Sequence, residues 1–206
     1  LPDGTPLILN ADGTVTKVGL VTTAQSIPSN AATVVTPPAS IWVQFTPVPG
    51  SSTKGLITGS DYMNSSASVT VVTIAADGTL TYGTPVIFRT SRTDAIRCDI
   101  DPANPTSFIL HYGSNNTGSD NALMAGTISG NTVTLGPQLL TSTIPNSMKQ
   151  TRVKFDKQNS GTFILVHQNN SNKQISTAVA GTISNNIITL GTPIDIVPSG
   201  SEGNQT

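Results

Sequence analysis

The residue types that most often carry chemistry are few in this chain. His111 and His167 are its histidines, Cys98 is its one cysteine, and Asp99 and Asp101 form an Asp-x-Asp pair. A zinc site needs three or four convergent ligands. Slid by 55 residues, the sequence lies on itself, with His111 on Val166 and Tyr112 on His167. The two histidines therefore take opposite strand faces in their own segments, and no metal set is expected. The two carboxylates point to one side of a strand, a pairing that serves hydrolysis or calcium binding. However, Asp99 becomes Lys154 in the next segment and no Asp-x-Asp-x-Asp-Gly loop follows. A solvated strand face beside Arg97 is the expectation for this pair. Cys98 aligns with Val153 and Val43, apolar positions, and reads as a small core residue with no activating partner. No Gly-x-Ser-x-Gly elbow and no Gly-x-x-x-x-Gly-Lys phosphate loop occurs. No catalytic residue, metal or cofactor is assigned, and a non-enzymatic protein is expected.

The loops are the better candidates for binding. GSNNTGSDN (113–121) and QNNSNK (168–173) occupy equivalent places in two segments. Loops are free of packing duty and carry function on a rigid frame. An Asn amide donates and accepts at once, which suits neutral sugars. The candidate ligand residues are Asn115, Asn116, Asp120, Asn169, Asn170 and Asn172.

The elements that must position these loops form a repeat. Segment 96–137 lies on 151–192 without a gap, and 16 of the 42 positions agree. Arg97 meets Arg152, Asp101 meets Asp156, and Phe108-Ile109-Leu110 meets Phe163-Ile164-Leu165. The phrases AGTISGNTVTLG (125–136) and AGTISNNIITLG (180–191) coincide. A third copy begins at Ile41-Trp42-Val43-Gln44-Phe45, again 55 residues upstream of Ile96. A partial copy opens the chain, where LNADGTVTKVG (9–19) matches IAADGTLTYG (74–83). Such self-similarity marks a repeat architecture.

Within the best copy, four alternating apolar runs fall at about 96–101, 107–112, 121–128 and 132–140, punctuated by Gly, Pro, Asn and Asp. Asp12-Gly13 and Asp77-Gly78 are two-residue hairpin signals, and Gly130-Asn131 and Asn185-Asn186 share their place. No helix is expected. Four strands per unit at this period predicts an all-β fold, a β-propeller-like repeat of four-stranded antiparallel blades, its ring either incomplete in this chain or completed by further chain or another chain, with a β-solenoid or sandwich as the structural alternative. The expected divisions are an N-terminal hairpin or partial blade at 1–25, a linker loop at 26–40, blades at 41–90, 91–142 and 143–198, and a polar tail at 199–206. By parity Cys98 and Ile100, Val153 and Phe155, and Val43 and Phe45 are expected to point inward, with Arg97, Asp99 and Asp101 on the other face.

Composition narrows the setting. Charged residues are only 10 % of 206, with Lys+Arg at 10 and Asp+Glu at 11. A phosphate-tracking surface needs clustered cations, so no nucleic acid is expected as a partner. No apolar run approaches the roughly 20 residues of a spanning helix, so no membrane insertion is expected. The abundance of Val, Ile, Leu and Thr at low charge argues against disorder. The chain begins at Leu1 without a basic, apolar leader, so a trimmed or processed chain is expected.

The stretches GTPVIF (83–88), IDPANPTSFILHY (100–112) and FDKQNSGTFILVH (155–167), with the hairpin phrase and the opening PLILNADGTV (6–15), resemble repeated units in large virion proteins of bacteriophages. The resemblance covers most of the chain and implies architecture and a virion or extracellular setting. It implies a structural or attachment component of a tail, fibre or capsid decoration. Other virion proteins, a homo-oligomeric arrangement and a host-surface glycan are its implied partners. Similar repeats in secreted bacterial proteins imply the alternative of a carbohydrate-binding or adhesin module.

Overall fold

A computed structural model describes residues 7–9, 11, 14–17, 40–61, 66–91, 93, 95–113, 121–140, 148–169 and 176–196. Leu1–Val35 and Thr36–Thr206 are two separate compact units. The first contributes an antiparallel pair, β1 (Leu7–Leu9) and β2 (Val15–Lys17), with Leu9 opposite Val15. The Asp12-Gly13 turn and the linker residues 26–39 lie outside the described residues.

The second unit is all-β among its described residues and holds three antiparallel sheets. Sheet I runs β3 (Ser40–Pro47), β4 (Lys54–Asp61), β5 (Ser66–Ile74) and β6 (Leu80–Tyr82), with β7 (Val86–Arg89) also on β5. Sheet II runs β8 (Ala95–Ile100), β9 (Ser107–Gly113), β10 (Ala122–Ser129) and β11 (Thr132–Leu140). Sheet III runs β12 (Met148–Phe155), β13 (Thr162–Asn169), β14 (Ser176–Ser184) and β15 (Ile187–Leu190), with β16 (Ile194–Asp195) also on β14. In each sheet the first four strands pair in sequence order, while β7 and β16 continue the fourth strands' edge on β5 and β14, so only short-range closure is needed.

Local chemistry explains the edges. The turn Asn185-Asn186 has φ of 50° and 61°, the double left-handed geometry of a type I′ hairpin, between paired Ser184 and Ile187. Asp77-Gly78 differs from the expected two-residue turn. Ala75 and Thr79 close a three-residue loop with Gly78 at φ 85°, and the Asp77 carboxylate accepts the Thr79 N–H at 2.9 Å. The fourth strand breaks at Gly83-Thr84-Pro85 in sheet I and at Gly191-Thr192-Pro193 in sheet III. Proline has no N–H for the ladder and is tolerated there because the strand lies at the sheet edge.

The sheets stack face to face. Leu56, Val69, Val71 and Phe88 of sheet I pack on Cys98, Ile100, Phe108 and Leu110 of sheet II. The other face of sheet II, with Ile109, Leu123 and Ala125, packs on Val153, Phe155, Phe163 and Leu165 of sheet III. Sheet II is therefore covered on both sides, which is why all seven residues of β9 are buried and its sequence SFILHYG lacks polar alternation. Cys98, Ile100, Val153 and Phe155 are buried as their parity predicts. Val43 and Phe45 are not: they are 59 % and 49 % exposed. They point the same way along the stack, but sheet I is the first of the three stacked sheets of this unit.

Two interactions fix the spacing of the stack. A Cβ at Gly83 would collide with the Asn131 carbonyl oxygen, and one at Gly136 with that of Asn186. The third-to-fourth-strand turn of each sheet thus seats on the fourth-strand glycine of the sheet before it. Along the first strands, Gln44, Asp99 and Lys154 occupy one repeat position. Gln44 bridges to the Cys98 backbone, its Nε2 donating to the carbonyl at 3.0 Å and its Oε1 accepting the N–H at 3.2 Å. Asp99 accepts from the Lys154 ammonium and from the Phe155 N–H at 2.9 Å.

Candidate functional site

Asn115, Asn116, Asp120, Asn170 and Asn172 lie outside the described residues. Asn169 is the last residue of β13, opposite Met148. The segment carrying the first three leaves sheet II at Gly113 and returns at Asn121. That end of the stack is the rim where β9 and β11 finish and β10 begins.

At this rim the structure places a cleft of about 400 Å³ between sheets I and II that sequence reasoning did not single out. β7 brings Ile87, Phe88 and Arg89, β9 brings Tyr112, and β11 brings Gln138 and Leu140. The Tyr112 ring is packed against Phe88, centroids 4.9 Å apart, and the Arg89 guanidinium lies 6.0 Å from its centroid. Arg89 Nε donates to Ser91 Oγ at 2.7 Å. Thr93 Oγ1 donates to the Gly113 carbonyl at 2.7 Å, tying the base of the loop to the cleft wall. Burial pushes the Tyr112 phenol above its ordinary range, against the opposing pull of Arg89. The phenol oxygen is buried with no hydrogen-bond partner among the described residues. Ile87 and Leu140 are exposed and supply apolar walls. The cleft combines one guanidinium, hydroxyls, an amide and an aliphatic platform. That donor set suits hydrogen bonding to a polyol and to a carboxylate carried on it. Its lining contains no carboxylate, imidazole or thiol.

The other candidates are placed elsewhere. Asp99 and Asp101 are buried, which corrects the expectation of a solvated face. The next sheet covers them and supplies both backbone N–H groups and side-chain donors to their oxygens. Asp101 accepts the Gly161 N–H at 2.7 Å, Ser160 Oγ–H at 2.9 Å and the Ala103 N–H of its own turn at 2.8 Å. The pair is a clamp between sheets. Asp156, at the same repeat position as Asp101, instead serves its own turn, where hydrogen bonds from Asn159 and Gln158 hold its pKa below the usual carboxylate value.

His111 and His167 do take opposite faces of their own sheets, and for that reason both enter the single interface between sheets II and III. His111 is fully buried; burial first, then the charges of Arg97 and His167, push its pKa down to about 3. Among the described residues no group of three metal-binding side chains exists. Cys98 is buried, and desolvation raises its thiol to about 12. A second cleft of about 360 Å³ lies along the first strands, bounded by Gln44, Asp99 and Lys154, with Gln44 engaged on the Cys98 backbone and Asp99 on Lys154. No family model, no curated protein and no solved structure matches this chain.

Proposed function

We propose that the chain is a non-enzymatic display module of a phage virion, in a tail, fibre or decoration protein, whose three sheets are blades of a β-propeller-type stack. Support for the propeller reading comes from the order of parts. The first strands β3, β8 and β12 neighbour one another across the sheets, while the fourth strands lie farthest from that line. Equivalent loops then share a rim. The virion setting rests on the resemblance of the repeats to virion units.

The observation that carries a binding role is the rim cleft at the foot of the 114–120 segment, with Arg89 and Tyr112 at its centre. Its ligand is a host-surface glycan, with a sugar carboxylate or hydroxyl pair on Arg89 and an apolar ring face on Ile87 and Leu140. Glycan-array binding by the purified chain tests this, with Arg89→Ala and the Asn115→Ala/Asn116→Ala pair as variants. Signal lost in both variants supports the reading, and a wild-type chain that binds no glycan refutes it. The same cleft chemistry serves a secreted bacterial adhesin. Mass spectrometry of purified virus particles separates the two settings by whether the chain copurifies with them.

A further inference from the structure

The three sheets repeat one interface twice, and the two ends of the stack present its unmatched halves. At the sheet III end, apolar residues on the open face are the repeat equivalents of sheet II residues that pack in the interface with sheet III. Ile164 stands where Ile109 does, Ala180 where Ala125 does, and Ile194 where Leu139 does. Register confirms the equivalence: Ile164 pairs with Ala180 across β13 and β14 as Ile109 pairs with Ala125 across β9 and β10. Ile109 and Ala125 are fully buried, whereas Ile164 is 47 % and Ile194 70 % exposed. At the sheet I end, Val43 and Phe45 are the equivalents of Cys98 and Ile100 and of Val153 and Phe155, all four of which are buried.

The glycine seat repeats the pattern. Gly83 and Gly136 each receive the turn of the following sheet, but Gly191, at the same place in sheet III, is exposed and has only the Ala180 carbonyl of its own sheet within 4 Å. One end thus offers the surface that a following sheet fits, and the other offers the surface that fits it.

We infer that a second copy of this chain seats head to tail on the stack, the Val43/Phe45 face of its sheet I covering the Ile164/Ile194 face of sheet III. The argument is continuity: the interface between copies is the interface between sheets I and II and between II and III, continued once more. Such a contact is heterologous, so it closes into a ring if the rotation per sheet allows and otherwise extends as a row. The inference concerns the faces of the stack rather than its rim, so loss of glycan binding leaves it intact.

Sedimentation velocity of the whole chain, read over a concentration series, tests it. Wild type self-associates. Phe45→Asp and Ile164→Asp each place an unpaired charge in the contact and weaken association about a hundredfold, with circular dichroism unchanged because both residues are surface residues of the single chain. The decisive measurement mixes the two variants. Each retains one intact half, so the mixture forms a 1:1 complex and nothing larger. Gly191→Val, which obstructs the seat without adding charge, gives the same loss and stands in should either charged variant misfold. A wild-type chain that stays monomeric throughout the series overturns the inference. So does a Phe45→Asp chain that still self-associates, or a mixture that remains two monomers.

Discussion

Asp101→Ala removes the carboxylate that ties the end of β8 to the turn between β12 and β13, and its cost can be worked from the three hydrogen bonds lost. The Ala103 N–H and the Ser160 hydroxyl are on exposed residues and recover water. The Gly161 N–H is buried and is left without an acceptor. A hydrogen bond to a charged group contributes about 1.5–3 kcal/mol, and an orphaned buried donor costs about 1–3 kcal/mol. The sum is roughly 2.5–6 kcal/mol. For a chain of this length that corresponds to a fall in Tm of roughly 5–24 °C. Thermal melts followed by circular dichroism, with urea titrations for the free energy, measure it. Asp156→Ala is the internal control, since its carboxylate is exposed and bonds only within its own turn. If the two variants lose the same stability, or if Asp101→Ala melts with the wild type, the carboxylate is not a clamp and the reasoning fails.

Three further outcomes follow from the same interfaces. His111 is held neutral with its pKa lowered to about 3, so the unfolded chain takes up the proton first as pH falls through about 6.5. Stability is then full above that value and declines below it, by about 2 kcal/mol between pH 7 and pH 5 for one such group. His111→Leu flattens that decline in urea titrations at the two pH values, and an unchanged slope would falsify the assignment. Cys98, its thiol raised to about 12 by burial, resists iodoacetamide at pH 8 in the native chain and labels fully in urea; rapid native labelling contradicts the packing. Gly136→Val pushes the Asn186 turn off its seat and costs about 1–3 kcal/mol, within the range for overpacking. The equivalent Gly191→Val, whose Cβ meets only the Ala180 carbonyl at 3.3 Å, lowers the Tm of the dilute single chain less than Gly136→Val does, and equal losses in both would remove the seat from the account.

Much of the fold is legible in the sequence because hydrophobic alternation and turn chemistry are local. The four runs at 96–101, 107–112, 121–128 and 132–140 lie within a residue or two of β8–β11, and Asn185-Asn186 adopts the positive φ its residue types favour. What alternation cannot convey is how many neighbours a sheet has. Val43 has the parity of Cys98 and Val153, yet it is exposed, since parity decides which face a residue takes and not what covers that face. The same gap misplaces Asp99 and Asp101. A charged residue on a strand reads as solvated until the backbone N–H groups that meet it are known, and those lie 55 to 60 residues away. The rim cleft was hidden for a similar reason. Arg89 and Tyr112 are far apart in sequence, and only the stacking of sheet I on sheet II joins them. A signal was nonetheless present: Tyr112 interrupts the repeat, where sheet III has His167.

The two rims of the stack are under unequal obligations. At one, the turns of Gly130-Asn131 and Asn185-Asn186 sit on the preceding sheet, and the Asp101 clamp grips Ser160 and Gly161. A residue added there would shift every later sheet out of step. At the other, the described contact at the foot of 114–120 is the Thr93 hydroxyl on the Gly113 carbonyl. For protein engineering this makes the molecule a one-sided scaffold: diversity belongs in 114–120 and its equivalents, and the opposite rim sets the spacing at which that diversity is presented.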